Sequence, residues 1–98
     1  MSLDADKVAR EVEKAISSPG KLKILRLLMK NPNHAFTRYE IGKKIPLSPT
    51  DIKNDLNILT EIGWVKDFRY QHIQKYSINI DNELVKQFTD FFRRIRYI

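Results

Sequence analysis

Apolar residues recur at intervals of three and four over residues 4–16, where Ala5, Val8, Ala9, Val12, Ala15 and Ile16 are interleaved with Lys7, Arg10, Glu11 and Lys14. That spacing gathers the apolar side chains on one face of a helix. Ser17-Ser18-Pro19-Gly20 interrupts the pattern, and Ser18 before Pro19 reads as an N-cap followed by proline at the first helical position. In the second helix Leu22, Ile24, Leu25, Leu27, Leu28 and Met29 occupy nearly every side, which predicts burial in more than one direction.

Asn31-Pro32-Asn33 ends this helix. Thr37 and Glu40 then stand at capping-box spacing, opening a short third helix to about Lys44. After the turn at Ile45-Pro46-Leu47, Ser48 caps, Pro49 begins and Asp51 favours the dipole of a fourth helix, predicted to reach Ile62. Gly63 is available for its left-handed end. Residues 64–70 and 73–80 are rich in aromatic and β-branched side chains, with Tyr76, Ile78 and Ile80 alternating against Lys75, Ser77 and Asn79, so a β-hairpin is expected with its turn in Tyr70-Gln71-His72. Asp81 is the expected cap of a last helix.

Composition narrows the class. The chain has 98 residues, 42% hydrophobic and 31% charged, enough for one core and no second domain. A net charge of +6 suits a partner of opposite sign, above all nucleic acid. The absence of cysteine excludes disulfides and thiolate metal sites and fits a cytoplasmic protein. Neither an apolar run long enough for a membrane span nor a signal-peptide pattern is expected. Met1, Ser2 and Leu3 precede the first period and can be an added leader.

The expected fold class is mainly α with a small β-hairpin (α+β), in the order α-α-α-α-β-β-α. From Ser18 to Ile80 the chain resembles the ArsR-like and MarR-like winged helix-turn-helix regulators of bacteria and archaea. The stretch from Ser18-Pro19-Gly20-Lys21 to Leu27-Leu28 looks like their opening core helix, and Leu47-Ser48-Pro49-Thr50-Asp51-Ile52 through Leu59 looks like their recognition helix. Ile62-Gly63-Trp64-Val65 is similar to the glycine and buried apolar pair before the wing, and Tyr76-Ser77-Ile78 to the returning strand. The resemblance implies one domain over residues 1–98, with an N-terminal helix (4–16), a winged core (18–80) and a C-terminal dimerisation helix (81–98). It also implies sequence-specific binding of double-stranded DNA in transcription regulation, with the recognition helix (49–62) in the major groove and the wing (65–80) on the minor groove or backbone.

On the fourth helix Ile52, Leu56, Leu59 and Ile62 line one side, leaving Thr50, Lys53, Asn54, Asn57 and Glu61 outward. Asparagine pairs with adenine and lysine reaches guanine acceptors, so Asn54 and Lys53 lead the candidates, with Ser48 at the helix start. Asp51 and Asp55 oppose phosphate approach. Asp55 is expected either to accept from a cytosine amine or to pair with Lys53 or Lys43. At the wing tip the resemblance implies contacts by Arg69, Tyr70, Gln71, His72 and Lys75, while Arg38, Tyr39, Lys43 and Lys44 can position the domain on phosphates. The terminal stripe of Leu84, Val85, Phe88, Phe91, Phe92, Ile95 and Ile98 exceeds what a small monomer readily buries, and a symmetric homodimer reading a near-palindrome is expected.

Metal-sensing relatives use clustered cysteines, or histidines with carboxylates on the terminal helix. Here His34 and His72 have no spaced partner, so no metal site and no cofactor is expected. No catalytic constellation or glycine-rich phosphate loop is present, since Gly20, Gly42 and Gly63 suit turns and helix packing, and no enzyme is expected. Trp64, Phe68 and Tyr76 are expected as core beneath the wing. Rival readings are a winged-helix module that binds another protein and an architectural protein that binds DNA without sequence preference.

Overall fold

The structure, a computed structural model, describes residues 4–98, so Met1, Ser2 and Leu3 and their reading as a leader lie outside the described residues. Local caps delimit each helix. Asp4 accepts from the amide of Lys7 at the start of α1 (Ala5–Ala15), and Ser18 accepts from Lys21 at the start of α2 (Pro19–Lys30). The capping box is complete at α3 (Arg38–Lys44): Thr37 accepts from the Glu40 amide at 3.1 Å while Glu40 accepts from the Thr37 amide at 2.9 Å. Ser48 caps α4 (Pro49–Glu61), which closes with Gly63 at φ +80° and the Trp64 amide bonded back to Leu59.

Strands β1 (Val65–Tyr70) and β2 (Ile73–Ile78) pair antiparallel, Tyr70 opposite Ile73, which leaves Gln71-His72 as a two-residue turn. Both turn residues are left-handed, with φ of 50° and 69°. This is the geometry that usually selects Asn-Gly, so two polar side chains are held at the wing tip against backbone preference. A short bridge from Phe36 to Tyr76 extends the hairpin on its other side, a pairing the sequence pattern did not announce.

Three expectations are corrected. The last helix, α5 (Glu83–Arg94), is capped by Asn82 instead of Asp81, whose carboxylate takes the Lys66 ammonium at 3.2 Å. It also stops short of the terminus, because Arg96 turns left-handed (φ 63°) and Tyr97 and Ile98 bond back to the Phe92 carbonyl. Phe68 is 46% exposed, whereas Trp64 and Tyr76 are buried. The register explains it: Tyr76 and Ile78 on β2 pair with Asp67 and Val65, so Phe68, one residue out of phase, points to the opposite face.

One core unites the elements, with Ile24, Leu25 and Leu28 of α2, Ile41 of α3, Leu56 and Leu59 of α4 and Trp64 all fully enclosed. Trp64 joins the periphery to it. Its indole donates to Glu11 of α1 at 2.7 Å and packs on Phe88 of α5 with ring centroids 5.3 Å apart. Among the described residues no helix is long and apolar enough to cross a membrane.

Candidate nucleic-acid interface

The amphipathic period of α4 sorts its side chains. Ile52, Leu56 and Leu59 are buried, while Thr50, Lys53, Asn54, Asn57 and Glu61 are exposed. Ser48 spends its hydroxyl on the helix start, accepting from the Asp51 amide at 3.1 Å. The start of α3 stands beside the start of α4, and Arg38 and Tyr39 line an open cleft with Pro49, Thr50, Ile52 and Lys53. Tyr39 is 72% exposed, and Lys43 lies over its ring at 4.7 Å from the centroid. An aromatic face and a cation are thus offered together beside the cleft.

The wing converges on the same region. Burial raises the pKa of the Tyr76 hydroxyl above its ordinary value, with a small push from Asp67, against smaller downward pulls from Arg38 of α3 and Arg69 of β1. Asp67 itself accepts from Gln74 at 2.9 Å across the hairpin. Arg69, Tyr70, Gln71 and His72 are exposed, while Lys75 is half-buried near Glu40. The hydrogen bond donated by the Thr37 amide holds the Glu40 carboxyl below its usual value. Of the sequence candidates, Lys44 stands apart, lining a different cleft with α2.

Asp55 is corrected most sharply. It faces inward and pairs with Lys21 of α2 (3.8 Å) instead of Lys53, Lys43 or a base. Lys21 is itself buried and donates to Ser17 at 3.0 Å. The contact is possible because Gly20 has no side chain: a Cβ there would stand 2.8 Å from an Asp55 oxygen. One of the two acids that argued against phosphate approach is therefore absent from the outward face, and Asp51 remains there.

Burial pushes the Asp55 carboxyl up more than Lys21 pulls it down, with Asp51 adding a smaller upward push. The folded chain then binds more protons than the unfolded chain between the unfolded value, about 3.9, and the raised one. Stability from this group accordingly increases as pH falls through the raised value and levels off below the unfolded one. Relative to Asp55→Asn, wild type should gain Tm as pH is lowered across that window. A difference that instead shrinks on acidification would mean that the Lys21 attraction outweighs burial.

The terminal stripe divides. Val85 and Phe92 are buried in their own domain and Phe88 packs on Trp64, so Val85 and Phe92 are corrected from interface to core. Phe91 and Ile95 are 45% and 55% exposed, and Leu84 and Ile98 are half-buried. Among the described residues no group of three or more histidine and carboxylate side chains is placed to hold a metal ion.

A short helix meeting a second across a tight turn, flanked by a two-stranded wing and backed by a core helix, defines a winged helix-turn-helix domain. Solved structures that share this fold include proteins described as transcriptional regulators. HlyU from Vibrio cholerae superposes with a TM-score of 0.77 at 22% identity over 97% of both chains. The transcriptional repressor PagR of Bacillus anthracis gives 0.74 at 22% identity, over 89% of this chain and 93% of that one. The homodimeric winged helix-turn-helix DNA-binding domain of Mb0332 from Mycobacterium bovis, described as a possible ArsR-family regulator, gives 0.72 at 25% identity over 93% and 79%. No family model matches the sequence, and no curated protein matches it significantly.

Proposed function

We propose that this chain is a dimeric, cytoplasmic transcriptional regulator that binds double-stranded DNA sequence-specifically, with residues 49–62 in the major groove and the wing on the minor groove or backbone. The observation that carries the reading is the outward stripe of α4. Thr50, Lys53, Asn54 and Asn57 are exposed beside the Arg38–Tyr39 cleft, while Asp55 is turned inward. Lys53 and Asn54 read base edges; Arg38, Tyr39, Lys43, Arg69 and the tip residues position the domain. Fluorescence anisotropy on random duplex should show affinity falling linearly with salt on logarithmic axes, by about 0.9 per phosphate neutralised. A protein unbound at low salt would sink the proposal.

Pairing through the exposed part of α5 supports a near-palindromic site with half-sites about 34–36 Å apart. Phe91 and Ile95 lead this contact, with Leu84, Phe88 and Ile98 at its edge. Substituting Phe91→Asp with Ile95→Asp should reduce the mass in sedimentation equilibrium from twice the 11.6 kDa of one chain to once, with the circular dichroism of the fold retained. An unchanged mass would place the contact elsewhere. A second reading, a protein-binding winged helix, is favoured by Phe68, Tyr70 and Ile73, all exposed on the outer side of the wing. It predicts normal folding without salt-dependent DNA binding.

A further inference from the structure

A second cleft opens between α2 and the end of α3. Leu27, Ile45 and Pro46 form its apolar floor, and Lys23, Arg26, Lys30 and Lys44 stand around it with no acid among the lining residues. Among the described residues none of these four cations belongs to an ion pair. Lys23, Arg26 and Lys30 recur at three and four along α2, which stacks them on one face where they repel one another. Lys44 adds a fourth positive charge from α3. An uncompensated cationic ring over an apolar floor has affinity for an anion that carries an apolar body.

The cleft also touches two other parts of the fold. Arg26 donates to the Tyr97 carbonyl at 2.7 Å and lies over the Tyr97 ring at 5.2 Å, and Tyr97 packs edge-on against Phe92 of α5 at 5.0 Å. On the other side Ile45 accepts from the Leu47 amide at 2.8 Å in the turn that leads into α4. An anion that drew Arg26 inward would loosen Tyr97, and one seated on Ile45 would bear on the turn.

We propose that this cleft binds a small organic anion, a carboxylate or phosphate on a body of about one ring, and that occupancy couples the C-terminal segment to the recognition helix. Its volume of about 270 Å³ sits just under the roughly 300 Å³ at which drug-sized pockets begin. The coupling rests on the DNA-binding reading above; the site itself does not.

The test is a ¹H–¹⁵N NMR titration of the full chain, without DNA, using phenyl phosphate, inorganic phosphate and phenol as separate probes. Phenyl phosphate should give saturable shifts in the amides of residues 23–30, Lys44, Ile45 and Tyr97, and bind more tightly than either fragment. A Lys23→Gln, Lys30→Gln, Lys44→Gln variant should weaken it at least about tenfold, whereas Lys53→Gln with Arg69→Gln should leave it unchanged. Dispersed spectra should show both variants folded, because none of the substituted cations belongs to an ion pair. Shifts confined to α4 and the wing, equal binding by inorganic phosphate, undiminished binding by the triple variant, or no saturable shift at millimolar probe would each overturn the proposal. Adding phenyl phosphate to the protein on duplex DNA at constant ionic strength then reads the coupling alone, as a change in DNA affinity that the Lys23, Lys30, Lys44 variant lacks.

Discussion

A chain carrying Lys53→Ala, Asn54→Ala and Arg69→Ala together is expected to lose at least about a hundredfold in affinity for its preferred duplex. A good base contact contributes roughly 1–3 kcal/mol of discrimination, and 1.4 kcal/mol is tenfold, so Lys53 and Asn54 together supply about thirtyfold or more, and loss of the Arg69 contact carries the total to about a hundredfold. Removing Arg69, the cation placed on the backbone, should also flatten the salt dependence by about 0.9 logarithmic units per decade, for one phosphate no longer neutralised. The fold should survive, since all three side chains are exposed and none belongs to an ion pair among the described residues. Anisotropy titrations at several salt concentrations check both numbers. Undiminished affinity in a folded variant would remove α4 and the wing from the interface. Weaker binding to the preferred site with unchanged binding to random duplex would assign Lys53 and Asn54 to base reading and leave positioning to Arg38 and Lys43.

The largest loss of stability is expected from Trp64→Ala. Truncating a buried aromatic side chain to alanine costs about 3–5 kcal/mol, and domains of this size have only about 5–15 kcal/mol in total. At about 4–8 °C per kcal/mol for a 60–100-residue domain, Tm should fall by roughly 12–40 °C. Trp64 is fully buried and ties three elements together through Glu11, Phe88 and the start of β1. Trp64→Phe keeps most of the packing and removes the indole N–H, leaving Glu11 with Asn82 at 3.5 Å. Its cost should be nearer the roughly 1.5–3 kcal/mol of a hydrogen bond to a charged group. Calorimetry on both variants separates packing from hydrogen bonding. Equal losses would mean that the Glu11 bond, and not the ring's volume, holds α1 to the wing.

The starts of α2, α3 and α4 were legible because a cap acts within three residues of itself. Ser18, Thr37 with Glu40, and Ser48 with Pro49 carry their structural consequence in adjacent sequence. At α5 the two neighbours Asp81 and Asn82 offered the same local chemistry. The choice went to Asn82 because its side chain also reaches the Gly63 carbonyl, 19 residues away, while Lys66 engages Asp81. The outward stripe of α4 was readable from its period alone, and so was the presence of the hairpin. Phe68 was misplaced because aromatic character marks a strand without saying which face is covered, and the register that decides this depends on the Gln71-His72 turn.

The order of elements, most of their caps, the face of α4 that points outward and the positive charge are all written in the chain. They follow from interactions between residues a few positions apart or from simple counting. It takes the packed fold to turn Asp55 to Lys21, to bridge Phe36 to Tyr76, to draw Val85 and Phe92 into the core and to bring Arg26 to Tyr97 across 71 residues. Such contacts join side chains whose separation is fixed by how helices pack, and no local preference encodes it. A carboxylate on α4 has the same sequence whether it faces solvent or a buried ammonium, and the difference is made by a glycine on the neighbouring helix that leaves room for it.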